Sequence, residues 1–68
     1  MRFKEARERA GLSVSEAAAR LEVSITSIYY WETDTYVPES KRLPEIAKLY
    51  DCSVDYLLGL DTRQRDSA

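Results

Sequence analysis

Sixty-eight residues make room for one domain, and a chain this short buries little apolar area. A single cysteine, Cys52, excludes an intramolecular disulfide and fits a reducing compartment, while the lack of histidine removes the commonest general base and metal ligand. The net charge of −2 runs against a nucleic-acid binder, which is usually basic, although the placement of charge matters more than its sum.

The only glycines and prolines, Gly11, Gly59, Pro38 and Pro44, punctuate the chain. Before Gly11, the stretch RFKEARERA is rich in helix formers and spaces Phe3, Ala6 and Ala10 helically; Gly11 fits a left-handed residue just past the helix end. Ser13 and Glu16 form a capping box, in which each side chain satisfies the other's backbone amide, so a second helix is expected from about Val14 to Leu21. Ser24 caps a third, Ile25 to about Glu32, with Ile28 and Trp31 on its inner side. Thr26, Tyr29 and Tyr30 then face mainly outward, because neighbouring residues point to different sides of a helix.

The stretch TDTYVP reads as a loop, with Asp34 its best left-handed candidate. A fourth helix ends near Tyr50, with Leu43, Ile46, Ala47 and Tyr50 on one face. Its start is open: a helix capped by Ser40 would lose one backbone bond at Pro44, and one starting at Lys41 to Leu43 would lose none. Ser53 caps a short fifth helix, Val54 to Leu58, closed by Gly59, with Leu60 still able to pack. Residues 61–68 form a polar tail expected to fray, after a domain spanning 1–60. No strand-like alternation is present, so the fold class is all-α, with five short helices. The brief Glu22-Val23-Ser24 link forces the second and third helices to cross steeply, as in a helix-turn-helix.

No nucleophile–base pair, metal cluster or glycine-rich phosphate loop is seen, so neither catalysis, a cofactor nor a small-molecule ligand is expected. With no signal peptide and no apolar run near membrane-spanning length, the expectation is a cytoplasmic protein without a membrane partner. Cys52, in the turn before the fifth helix, reads as an inert thiol rather than a redox switch.

Taken jointly, Phe3-Lys-Glu-Ala-Arg7, Gly11-Leu-Ser13, Glu16-Ala-Ala18, Leu21, Val23-Ser24, Ile28, Glu32, Pro38, Leu43, Ile46-Ala47 and Ser53-Val-Asp-Tyr-Leu57 resemble the lambda-repressor-like, Cro-type helix-turn-helix family (XRE family). The resemblance implies a DNA-binding transcriptional regulator that pairs as a homodimer beside the fifth helix, where Val54, Tyr56, Leu57 or Leu60 would meet. Since occluding a promoter needs only binding, a repressor is expected. The resemblance makes the third helix the recognition helix in the major groove and matches Ile25, Thr26, Ser27, Tyr29 and Tyr30 to the groove-facing positions. Hydroxyls suit base edges and phosphates, and Ile25 and the Thr26 methyl suit thymine methyls. The resemblance also pairs Arg7 with Glu32 and brings Lys41 and Arg42 near the DNA backbone. The amides at the starts of the second and third helices offer further phosphate sites.

Several positions depart from the family pattern. Val14 stands where a phosphate-touching Gln is frequent, Glu22 and Asp34 where Gly is frequent, and Ala6 and Ala17 where large aliphatics are usual, with Trp31 able to refill the volume. The alternative reading is a protein-binding adaptor or antitoxin-like module that uses the tyrosine-rich face of the third helix, since aromatics are enriched at protein interfaces.

Overall fold

Phe3, Ala6, Ala17, Ala18, Leu21, Ile28, Trp31, Ile46, Ala47, Tyr50 and Leu57 form one buried cluster, to which every helix contributes. The computed structural model describes residues 1–60, so the expected tail at 61–68 lies outside the described residues. Among the described residues there are five α-helices and no strand: α1 (Phe3–Arg9), α2 (Val14–Leu21), α3 (Ile25–Glu32), α4 (Leu43–Leu49) and α5 (Val54–Leu58). The all-α expectation holds, and α2 and α3 pack on each other as the helix-turn-helix pair. The α1 helix lies against α3, while α4 bridges α2 and α5. The Arg2 amide donates to the Leu57 carbonyl at 2.8 Å, tying the start of α1 to α5.

The small residues explain where the large ones sit. Ala6 and Ala17 are fully buried, and the Trp31 indole occupies the same cluster with its ring 6.2 Å from that of Phe3. Burial of an aromatic of this size contributes on the order of 2–3 kcal/mol. The wide ring beside short side chains keeps the core of a small domain filled.

The helix starts follow the expected caps. Ser13 and Glu16 form the complete capping box, and Ser24 and Ser53 each accept from the amide three residues on. The helix ends share one device. Past each helix a residue in the left-handed region turns the chain, and its amide and the next one reach back to the last-turn carbonyls, as in a Schellman motif. The residues are Gly11, Glu22, Asp34, Asp51 and Gly59. At the end of α2, for example, Glu22 donates to the Ala19 carbonyl at 3.3 Å and Val23 to the Ala18 carbonyl at 3.0 Å. Gly11, Asp34 and Gly59 were expected in such positions, and Asp51 is an addition.

Two expectations at the far end are resolved or revised. Ser40–Arg42 forms a 3₁₀ turn rather than the cap of a longer helix, and α4 begins at Leu43, so Pro44 lies in the first turn, where an amide has no helical partner to lose. Leu60 does not pack. The turn at Gly59 directs it outward and leaves it 58% exposed.

Glu22 has a φ of 58° without a side-chain partner to favour it. Glu22→Gly should therefore raise stability by about 0.5–1 kcal/mol, or roughly 4 °C in a thermal melt. Glu22→Ala serves as the control for loss of charge, and an equal gain in both variants would show that the carboxylate, not the backbone, is at fault.

Candidate nucleic-acid interface

The α3 helix is fixed at both ends by short-range hydrogen bonds. The Ser24 hydroxyl accepts from the Ser27 amide at 3.1 Å and lies 3.1 Å from the Ser27 hydroxyl. At the other end, the Thr33 hydroxyl donates to the Tyr29 carbonyl at 2.8 Å. With Ile28 and Trp31 buried, Ile25, Thr26, Tyr29 and Tyr30 form the exposed face, Tyr29 being 52% exposed. Ser27 is half-buried and its hydroxyl is engaged with Ser24, so its first role is in the cap.

Below this face lies the shortest hydrogen bond among the described residues. Arg7 Nε donates to Glu32 Oε2 at 2.6 Å and Nη2 to Oε1 at 3.2 Å, a forked pair whose side chains are only 10% and 6% exposed. A third donor, Nη1, reaches the Leu12 carbonyl at 2.8 Å. One guanidinium thus joins α1, the turn after it and the end of α3. The hydrogen bond with Glu32 raises the Arg7 pKa further, against the opposing effect of burial. Beside the pair, burial and then the Glu32 charge push the Tyr50 hydroxyl up to about 12.

Lys41 and Arg42 differ in their commitments. Lys41 is exposed, with its ammonium 3.9 Å from the Glu39 carboxylate, a surface pairing of little energetic weight. Arg42 is half-buried: it donates to the Leu21 carbonyl at 3.3 Å and lies 3.6 Å from Glu45. It lines an open groove between α2 and α4 together with Arg20 and Lys48. The helix starts differ too. At α2, the Glu16 carboxylate accepts the Ser13 amide at 2.8 Å, a bond that lowers the pKa of this exposed acid and sets a negative charge where a phosphate would otherwise sit. The first turn of α3 contains no acidic residue.

The helix-turn-helix family model matches residues 3–57. The chain belongs to the XRE-type helix-turn-helix family. It is similar to the HTH-type transcriptional regulator ImmR of Bacillus subtilis (strain 168), with 40% identity over 60 residues, covering 88% of this chain and 47% of that protein. A second B. subtilis protein, named as the uncharacterized HTH-type transcriptional regulator YobD, is 32% identical over 59 residues, covering 87% of this chain and 53% of its own. The chain thus spans about half the length of the curated relatives it matches. No solved structure gives a significant match.

In this XRE-type domain the departures from the family pattern have local explanations. Val14 is half-buried against the core rather than extended from the surface. Glu22 and Asp34 take the left-handed conformation that glycine would take more readily. Three features of the surface escaped sequence reasoning: the Arg42 bond to the end of α2, the exposed Tyr36 and Val37 of the loop after α3, and the 4.9 Å edge-to-face contact of the Tyr36 and Tyr30 rings. The exposed aromatic in TDTYVP was the available signal for the last two. Cys52 is half-buried and burial pushes its thiol up, which agrees with an inert cysteine. Among the described residues no group of three potential metal ligands occurs, and no helix is long and apolar enough to cross a membrane.

Arg7→Ala leaves the Glu32 carboxylate and the Leu12 carbonyl without this partner, and should cost about 3 kcal/mol. A double-mutant cycle with Glu32→Ala, read by urea unfolding, should be strongly non-additive. Additivity would mean that the pair contributes no coupling energy.

Tyr50 generates a pH prediction. Its folded-state pKa of about 12 lies above the ordinary value of 10.0, so its contribution is intact below pH 10 and is lost as pH rises through about 12. Tyr50→Phe should lose less stability between those limits than the native sequence does. Parallel urea melts at pH 8 and 11 compare the two, and the same loss in both variants would exclude Tyr50 as the cause. Cys52 is common to both and cancels.

Proposed function

We propose that the chain is a sequence-specific double-stranded DNA-binding domain that acts in transcription regulation as a repressor, with α3 in the major groove. The observation that carries this reading is the exposed α3 face, held rigidly by its caps and by the Arg7–Glu32 fork. A recognition element gains from such fixing because its polar groups are already oriented before contact. In this reading Thr26 and the cap-engaged Ser27 offer hydroxyls to base edges, and Ile25 and the Thr26 methyl meet thymine methyls. The Tyr29 and Tyr30 hydroxyls, Lys41 and the first amides of α3 serve phosphates. Arg42 divides its guanidinium between the Leu21 carbonyl and the backbone of the DNA. The face has no Arg, Asn or Gln for bidentate base contacts, so DNA shape carries a large share of the selectivity.

A face this short reads few base pairs, so two copies act together on a two-fold symmetric site with half-sites about 10 base pairs apart. The copies meet beside α5. Leu57 is fully buried and belongs to the core, leaving half-buried Val54 and Tyr56 with exposed Leu60 for the contact. Such a small apolar surface fits pairing that is completed on DNA. The protein works in the cytoplasm in this reading, without catalysis, cofactor or small-molecule ligand.

The exposed rings of Tyr29, Tyr30 and Tyr36 favour one alternative, a protein-binding adaptor or antitoxin-like module. Salt separates the two. DNA binding releases counterions from neutralised phosphates, so affinity for a duplex selected from random sequence should fall at least roughly tenfold between about 50 and 200 mM salt. Thr26→Ala and Tyr30→Ala should each weaken that binding by about fivefold while leaving the thermal melt within a few degrees. Unchanged affinity in both variants would remove α3 from the interface.

A further inference from the structure

The loop after α3 is built onto Tyr30. The Thr35 amide donates to the Tyr30 carbonyl at 2.9 Å and the Tyr36 amide to the same carbonyl at 3.3 Å. The Thr33 and Thr35 hydroxyls lie 2.8 Å apart, and buried Pro38 anchors the exit of the loop. This backbone arrangement sets the Tyr36 ring against the Tyr30 ring, with centroids 4.9 Å apart and planes at 78°. Both rings are largely open, Tyr36 at 62% and Tyr30 at 41%. An exposed tyrosine ordinarily samples several rotamers. Here the positive edge of one ring meets the negative face of the other, a geometry that favours one orientation for the pair.

We propose that Tyr36 is a positioning residue of the DNA interface: its ring holds Tyr30 in the rotamer that presents the Tyr30 hydroxyl to a DNA phosphate. This inference rests on the proposed DNA-binding reading. A loop residue outside the helix-turn-helix thereby governs a side chain of the reading helix. The ring, not the Tyr36 hydroxyl, performs this function, so phenylalanine is a sufficient substitute and alanine is not. The two tyrosines act as one unit, so loss of either forfeits the same contribution.

The test measures binding of Tyr36→Ala, Tyr36→Phe, Tyr30→Ala and the Tyr30→Ala/Tyr36→Ala double variant to the duplex selected by the native sequence and to a scrambled duplex. Tyr36→Ala should bind both duplexes about three- to fivefold more weakly, because a phosphate contact is made whatever the sequence. The double variant should be no weaker than Tyr30→Ala alone, and Tyr36→Phe should bind as the native sequence does. Proton NMR of the free proteins gives a second readout: the Tyr30 ring resonances should move in Tyr36→Ala and stay largely in place in Tyr36→Phe. A thermal melt unchanged in all variants excludes unfolding as the cause. Native affinity in Tyr36→Ala, or independent effects of the two alanines, would overturn the inference while leaving the DNA-binding reading intact. Absence of salt-dependent binding by the native sequence would overturn both.

Discussion

The forked contact between Arg7 and Glu32 is the constraint on which the arrangement of this domain depends. Removing two charges from water is costly, and the attraction between them offsets that cost only with good geometry and satisfied remaining groups. Both conditions are met here. Two guanidinium nitrogens face the two carboxylate oxygens, and a third takes the Leu12 carbonyl. An apolar pair of similar volume can match such a contact in stability, but it lacks the same directionality. The fork defines the angle and height of α3 relative to α1, and with them the position of every side chain on the outer face.

The rest of the fold supports the same element from other directions. Ile28 and Trp31 seat α3 in the core, Ser24 ends the preceding turn, and Thr33 closes the last one. The five helices are so short that none would be stable alone, since a helix of five to eight residues scarcely repays its nucleation. Caps, left-handed turns and one shared core therefore act together, and the caps carry more weight than they would in a longer bundle. Stability and function meet at Glu22, a strained residue between the two helices of the helix-turn-helix. It sets a sharp crossing at a conformational cost that glycine would lessen.

Charge adds a second theme. The chain is acidic overall, yet the first turn of α3 lacks an acid while that of α2 carries one. Glu16 caps α2 and Glu32 holds Arg7, so these two carboxylates lie away from the start of α3. This distribution explains how an acidic domain can retain a face suited to a polyanion, where a sum over residues would argue against it.

Features confined to a few neighbouring residues were legible in the sequence. The Ser13–Glu16 box, the Ser24 and Ser53 caps, the limits of α2 and α3, and the turns at Gly11, Asp34 and Gly59 each arise from groups within three to five positions of each other. Local hydrogen bonding and backbone sterics decide such features almost independently of the fold. The Arg7–Glu32 pair, 25 residues apart, was reached only through the family resemblance, since no periodicity connects the two positions. The tertiary structure alone decided the matters that depend on which surfaces meet. It turned Arg42 onto the Leu21 carbonyl, buried Leu57 and exposed Leu60, and laid Tyr36 against Tyr30. Each of these outcomes depends on the placement of a residue relative to parts of the chain outside its own turn or helix, and that placement exists only once the core has closed and the helices have taken their mutual angles.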